Sequence, residues 1–409
     1  MSGVDGPGQP GAFPAPALTV PPDLLSRRRR RSSVTLTVVL SVLMVLGAGV
    51  MALVLLASSA PGALVIGVLL AAIPVGPVIA AFLWLDRYEP EPVKVLTAAF
   101  AWGALVATAA ALVLQALDQF VLGTPENWSA AIVAPITEEA AKGAFIVFLV
   151  WLRRHVIDGL LDGIVYAGMI GVGFAFTENI LYLAAAYMGG EGIGPGGIGA
   201  VTGTFVVRGI FSPFAHPFFT ALFGVGIGYA VVTRSSFWRI ASPLLGYAAA
   251  VLAHALWNGA AYFGGGEFFV LTYLFLMVPA FLLLSGFAVW ARRREGQMLA
   301  RSLTDAADRG YLAPYEVPWL VRIPGRRAAR AHANRVGGEP ALRAMQEYQE
   351  QAIELGFLHD RFLRGTAPAD VVPRGQAMVD RLATLRPFVV FPVAPGTTSV
   401  TQPWLEGGR

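Results

Sequence analysis

Apolar stretches of about 20 residues or more recur along the chain, separated by short polar breaks. They cover roughly 34–57, 63–85, 93–117, 129–152, 160–187, 201–232, 240–263 and 268–291. A helix needs about 20 largely apolar residues to cross a hydrocarbon core some 30 Å thick, so each run predicts a membrane-spanning helix. The pattern specifies an all-α, polytopic membrane bundle of about eight helices. Pro213 and Pro217 interrupt the sixth run and predict a break there, because proline removes a helix donor and clashes with the preceding turn. The first run exceeds the 7–15 residues or so of a signal-peptide core, and reads as a retained helix.

Composition agrees with this reading. Of 409 residues, 56% are hydrophobic and 14% charged, against about 25% charged in soluble domains. No cysteine is present, which excludes disulfides and thiolate metal sites. The net charge of +4 does not point to nucleic acid, since the arginines gather at helix ends. Arg27–Arg31, Arg87 with Lys94, Arg153 with Arg154, Arg234 with Arg239, and Arg292–Arg294 fall at alternate breaks. The intervening breaks, near Pro61, Gly123, Gly194 and Gly265, carry no Lys or Arg. This alternation predicts eight crossings with both termini in the cytoplasm.

Three regions follow. Residues 1–32 are Pro- and Gly-rich without periodicity and predict a disordered cytoplasmic tail. Residues 33–291 form the transmembrane domain. Residues 292–409 are polar and Arg-rich, and predict a partly helical cytoplasmic tail. Within that tail Leu342, Met345, Tyr348, Ala352 and Leu355 share one face of a helix over Pro340–Leu355, with Gly356 as its C-cap.

Candidate chemistry comes from polar groups inside the apolar runs. The fourth run carries Glu138, Glu139 and Lys142, the last being one of two lysines in the chain. A charge at mid-bilayer costs at least about 2.5–3.5 kcal/mol, so three together call for a purpose. Glu138 and Lys142 are four apart and share a face, whereas Glu139 points about 100° away. One carboxylate is then free to face a reactant while the other is held by the lysine. The fifth run adds Glu178 and Asn179, the sixth Arg208 and His216, the seventh His254 and Asn258. Arg208 suits a neutralising partner of Glu178, and Asn258, four residues after His254, suits orientation of the imidazole or support of an oxyanion. Histidines and carboxylates at one depth are sufficient to activate a water and protonate a leaving amine. They are also ligands for zinc, with His216, His254 and Glu178 the candidates. Ser212 and His216 make a weaker Ser–His option. A proton or cation relay, or a membrane scaffold without catalysis, uses the same composition. No His-Glu-x-x-His motif is present.

The order of these groups resembles a known family. Glu138-Glu139-x-x-Lys142, then Phe174-x-x-x-Glu178-Asn179, then His216, then His254-x-x-x-Asn258 is similar to the PrsW family of intramembrane proteases. Tyr88-Glu89-Pro90-Glu91-Pro92 and Asp162-Gly163-x-Val165-Tyr166 also fit its pattern, so the resemblance spans about 85–258. That family is in turn similar to the CAAX prenyl protease and bacteriocin-immunity group, in which a histidine stands where this chain has Glu178. The resemblance implies an intramembrane endopeptidase, metal-dependent or glutamate-dependent, that cuts membrane-anchored proteins such as anti-sigma factors. It implies Glu138 or Glu139 as general base. It gives His216 and His254 the task of placing the water, binding metal or protonating the amine. Asn258 would sit at the oxyanion, and Glu178 would complete the polar ring.

Overall fold

The computed structural model describes residues 34–58, 60–152, 156–190 and 194–392. The expected N-terminal tail, the Arg27–Arg31 run and the final residues 393–409 lie outside them. Described residues fall into two compact units, 34–297 and 298–392.

In the first unit the helices are α1 (Val34–Ser58), α2 (Pro61–Leu85), α3 (Val93–Ala101), α4 (Thr108–Val121), α5 (Glu126–Trp128), α6 (Ala134–Leu152) and α7 (Leu160–Met188). They continue as α8 (Gly197–Phe205), α9 (Ala215–Val232), α10 (Ser236–Phe263), α11 (Gly265–Thr272) and α12 (Val278–Asp308), the last running past the unit boundary. Among the described residues, seven helical segments are long and apolar enough to cross a membrane. The run 129–152 is helical as well, but Glu138, Glu139 and Lys142 set it apart from those seven. The sixth run breaks at Ser212–Phe214, with Pro213 in the break and Pro217 in the first turn of α9, where a missing N–H costs nothing.

Apart from Asp162 near its start and the stretch Thr177–Asn179, helix α7 is apolar on every side and buried along most of its length, as a central helix must be. Tyr166, Ile170 and Phe174 pack with Trp102, Phe145, Ile146 and Phe223. By contrast Leu46, Leu53 and Leu56 of α1, Leu69 of α2 and Leu283 of α12 are exposed, which suits side chains that face lipid. Close approach at the centre depends on Gly173: a Cβ there would stand 2.0 Å from the Phe100 carbonyl oxygen. The start of α7 is capped by Asp162, whose Oδ2 accepts from the backbone N–H groups of Asp158 (2.7 Å) and Gly159 (2.9 Å).

Among the described residues, four π-helical turns interrupt the spans, at Trp102–Ala107, Ser129–Val133, Val206–Phe211 and Tyr273–Met277. A widened turn disturbs the carbonyl ladder, and in lipid a loose carbonyl needs a donor. Side chains from other helices supply it in three of the four turns or at their edge. Thr177 donates to the Ala104 carbonyl at 2.8 Å, Asn258 to Ala130 at 2.9 Å, and Tyr273 to Phe211 at 2.8 Å.

The second unit contains the end of α12, then α13 (Val317–Val321), α14 (Ile323–Leu363) and α15 (Val371–Leu385). Helix α14 bends at Gly338, whose φ of 62° is left-handed. Met345, Tyr348, Ala352 and Leu355 are buried on one face as the periodicity predicts, and Leu342 is half-buried. The expected cap at Gly356 is incorrect: the helix continues to Leu363. Gly356 instead makes room for a neighbour, since a Cβ there would meet Leu299 at 2.8 Å.

Candidate active site

Five helices and one π turn bring the intramembrane polar residues together. Helix α6 supplies Glu138, Glu139 and Lys142, α7 supplies Glu178 and Asn179, and the π turn Val206–Phe211 supplies Arg208. Helix α9 supplies His216, α10 supplies His254 and Asn258, and α4 adds Gln115, which the sequence reading passed over. His216 reaches this centre because α7 lets the start of α9 come close. A Cβ at Gly171 would lie 2.7 Å from the His216 carbonyl oxygen.

Lys142 is fully buried and binds three partners. Its Nζ lies 2.8 Å from Glu139 Oε1, 3.2 Å from Glu138 Oε2 and 3.1 Å from His216 Nδ1. It also sits 3.7 Å from the centre of the Phe174 ring. An ammonium only donates, so His216 Nδ1 accepts, and its Nε2 carries the proton that Glu178 Oε2 takes at 2.7 Å. Thus Lys142 grips both carboxylates of α6 rather than one, which the spacing alone did not indicate.

His254 is held from two sides. Its Nδ1 lies 3.0 Å from Glu139 Oε1, and its ring stacks on Phe219 with centres 4.7 Å apart. Its Nε2 is turned towards Glu138 Oε2, 3.8 Å away. Glu178 is paired with Arg208, whose Nε donates to Asn179 Oδ1 at 2.7 Å and whose guanidinium lies 3.9 Å from the centre of the Tyr182 ring. Gln115 Nε2 lies 3.3 Å from Glu138 Oε1.

These groups border a cavity of about 600 Å³. Glu138, Glu178, Arg208, His216, Asn258 and Gln115 line it, and Gln119, Glu126 and Tyr262 extend it towards one end of the helices. Asn258 stands on the wall, with its amide given to Ala130 rather than to His254. The hydroxyl of Ser212 is committed to the Val207 carbonyl at 2.7 Å, which removes support from a Ser–His pair.

Glu138, His216 and His254 each offer one ligand atom within 4.8 Å of the other two. Two imidazoles and a carboxylate are the donor set of a hydrolytic zinc site. Each histidine also has a carboxylate behind it, Glu139 for His254 and Glu178 for His216, as metal-binding histidines usually do. The residues therefore fit zinc, provided Lys142 releases Nδ1 of His216.

Residues 91–284 match the profile described as PrsW family intramembrane metalloprotease, and this stretch contains every group named at the site. This stretch, just under half of the chain, is similar to the PrsW family. It is 28% identical over 166 residues to Protease PrsW of Geobacillus kaustophilus (strain HTA426), covering 40% of this chain and 67% of that protein. Protease PrsW of Bacillus subtilis (strain 168) is 29% identical over 102 residues, 25% of this chain and 46% of its own. Protease PrsW of Clostridioides difficile (strain 630) is 31% identical over 115 residues, with 26% and 47% covered. No solved structure matches the chain significantly. Similarity to that family and the seven membrane-competent helices make this a multi-pass membrane protein.

Sequence reasoning missed Gln115, Phe219 and Thr220. Gln115 is an isolated polar residue late in an apolar run, and Phe219 and Thr220 follow His216 by three and four residues on one helix face. Both signals were available.

Proposed function

We propose that this protein is an endopeptidase that hydrolyses peptide bonds of membrane-anchored proteins in the cavity beside Glu138. Anti-sigma factors are substrates of the expected kind. One observation carries the reading: a carboxylate lines a cavity of about 600 Å³ while two imidazoles lie within 4.8 Å of it.

The two glutamates divide the work. Glu139 does not line this cavity and is bound to Lys142 and His254, so its task is orientation. Glu138 faces the cavity and takes the proton from the attacking water. Glu138 hands that proton to Nε2 of His254, 3.8 Å from its Oε2, and Nε2 delivers it to the leaving amine. Lys142 and Arg208 balance the carboxylates in a medium where unpaired charge is costly. A zinc ion, when bound, would be held by Glu138, His216 and His254, and would polarise the scissile carbonyl and lower the pKa of water. The cavity carboxylates outside that ligand set are Glu178, beside His216, and Glu126, at the mouth.

The eight apolar runs and the Lys/Arg distribution support eight crossings with both termini cytoplasmic. With that orientation the mouth at Gln119, Glu126 and Tyr262 opens on the side of the Lys/Arg-free loops.

The test uses the full chain in lipid vesicles, a membrane-anchored reporter and water enriched in oxygen-18. The proposal expects a cut at or inside the membrane boundary, with one heavy oxygen in the new C-terminal carboxylate. A reporter that stays intact, with proton flux across the vesicle instead, would establish a relay.

A further inference from the structure

Thr220 is fully buried on α9, one turn beyond His216. A buried helical threonine commonly turns its hydroxyl back to the carbonyl four residues earlier. Here the hydroxyl reaches across to α6 and donates to Glu139 Oε2 at 3.0 Å. The two oxygens of Glu139 are thereby divided. Oε1 takes Lys142 and His254, at 2.8 and 3.0 Å, while Oε2 takes Thr220.

We infer that Thr220 is a positioning residue for hydrolysis, acting through Glu139 on the ring of His254. The chain of contacts is short. Thr220 fixes the rotation of the Glu139 carboxylate. That carboxylate fixes Nδ1 of His254, and the stacked ring of Phe219, one residue before Thr220, fixes its plane. The outcome is an Nε2 turned towards Glu138 and the reacting groups. Without the hydroxyl, Oε2 is a buried acceptor with no donor. The carboxylate then gains by rotating, at the expense of His254 or Lys142. Phe219 and Thr220 thus make α9 a wall that aims the histidine of α10, in addition to presenting His216.

This inference rests on the protease reading, and its test separates the two. Thr220→Val replaces the hydroxyl by a methyl of similar size. With a membrane-anchored reporter, kcat should fall by about 10–100-fold, as loss of an outer contact to a catalytic group commonly does. KM should remain within a factor of about two, because Thr220 does not line the cavity. Thr220→Ser keeps the hydroxyl and should recover most of the rate. In the background of Glu139→Gln, Thr220→Val should cost little more, since the effect passes through that carboxylate.

The same four proteins, wild type, both single variants and the double, also form a cycle in thermal midpoint that needs no activity. Non-additive shifts are expected. A wild-type kcat in Thr220→Val, equal impairment in Thr220→Ser, or additive shifts would overturn the inference. A wild type that cuts nothing sinks the protease reading alone, and the thermal cycle still decides the Thr220–Glu139 contact. Should Thr220→Val fail to fold, Thr220→Ala replaces it in each arm.

Discussion

Lys142 is where the buried charges of the site balance. Glu138, Glu139 and Glu178 bring three carboxylates, and Lys142 and Arg208 bring two cations. Removing one partner of a buried ion pair leaves an uncompensated charge and costs about 3–5 kcal/mol. Lys142→Met should therefore lower stability by an amount in that range, read as a fall in the thermal midpoint in detergent or lipid. A midpoint equal to wild type would mean that water, not Lys142, compensates the carboxylates. Much of this was legible at the level of single residues, since Glu138 and Lys142 are four apart and charges inside an apolar run demand partners. The contacts of Gln115, Thr220 and Phe219 were harder to foresee. Their partners lie on other helices, and spacing within one helix does not name a partner across an interface.

Elements were legible where one physical rule governs them. Apolar runs gave the helices, and Pro213 gave the break before α9. The π turns were not visible, because no residue type marks them. They are stabilised by tertiary donors such as Thr177 and Asn258, which only the assembled bundle brings within reach. Gly356 misled for a related reason: a glycine that ends a helix and one that admits a neighbour look alike in sequence. The close crossing at Gly173 offers a test at this scale. Gly173→Ala places a Cβ against the backbone at Phe100, where nothing soft can yield. Overpacking of this kind costs about 1–3 kcal/mol or more. In contrast Gly76 is exposed on α2 with nothing within 4 Å of an added Cβ. Gly76→Ala should be neutral or stabilising by up to about 1 kcal/mol, the helix propensity difference. Equal loss of thermal midpoint in the two variants would contradict the tight α3–α7 crossing.

At the scale of the whole molecule, the first unit carries a second group of acids, at the end of the helices marked by Arg87 and Lys94. Asp86 is buried and accepts from the Glu91 backbone N–H at 2.8 Å, while Glu91 Oε2 accepts from Tyr166 at 2.6 Å. Burial pushes the Asp86 carboxyl up to about 7. Burial, followed by the nearby Asp162, pushes Glu91 up to about 10. Each folded-state value lies above the unfolded one, so the folded protein holds these protons more tightly. Their contribution to stability is complete at pH values below about 4, where both states are protonated. It declines as pH rises, through about 7 for Asp86 and on towards 10 for Glu91. The thermal midpoint should accordingly fall from pH 5 to pH 8, and Glu91→Gln, which stays neutral, should flatten that slope. A midpoint that rises over this range would contradict the assignment.

The central claim is that Glu138, set in a cavity between two imidazoles, is the group that makes this membrane bundle a hydrolase. Its most direct test compares wild type with Glu138→Gln in lipid vesicles, using one membrane-anchored reporter and checking each protein for an unchanged thermal midpoint to within a few degrees. The account predicts a reporter cut by the wild type, and cleavage lowered by a factor of about 100 or more in the variant, the scale of a lost general base. Cleavage at the wild-type rate by a folded Glu138→Gln protein would contradict it.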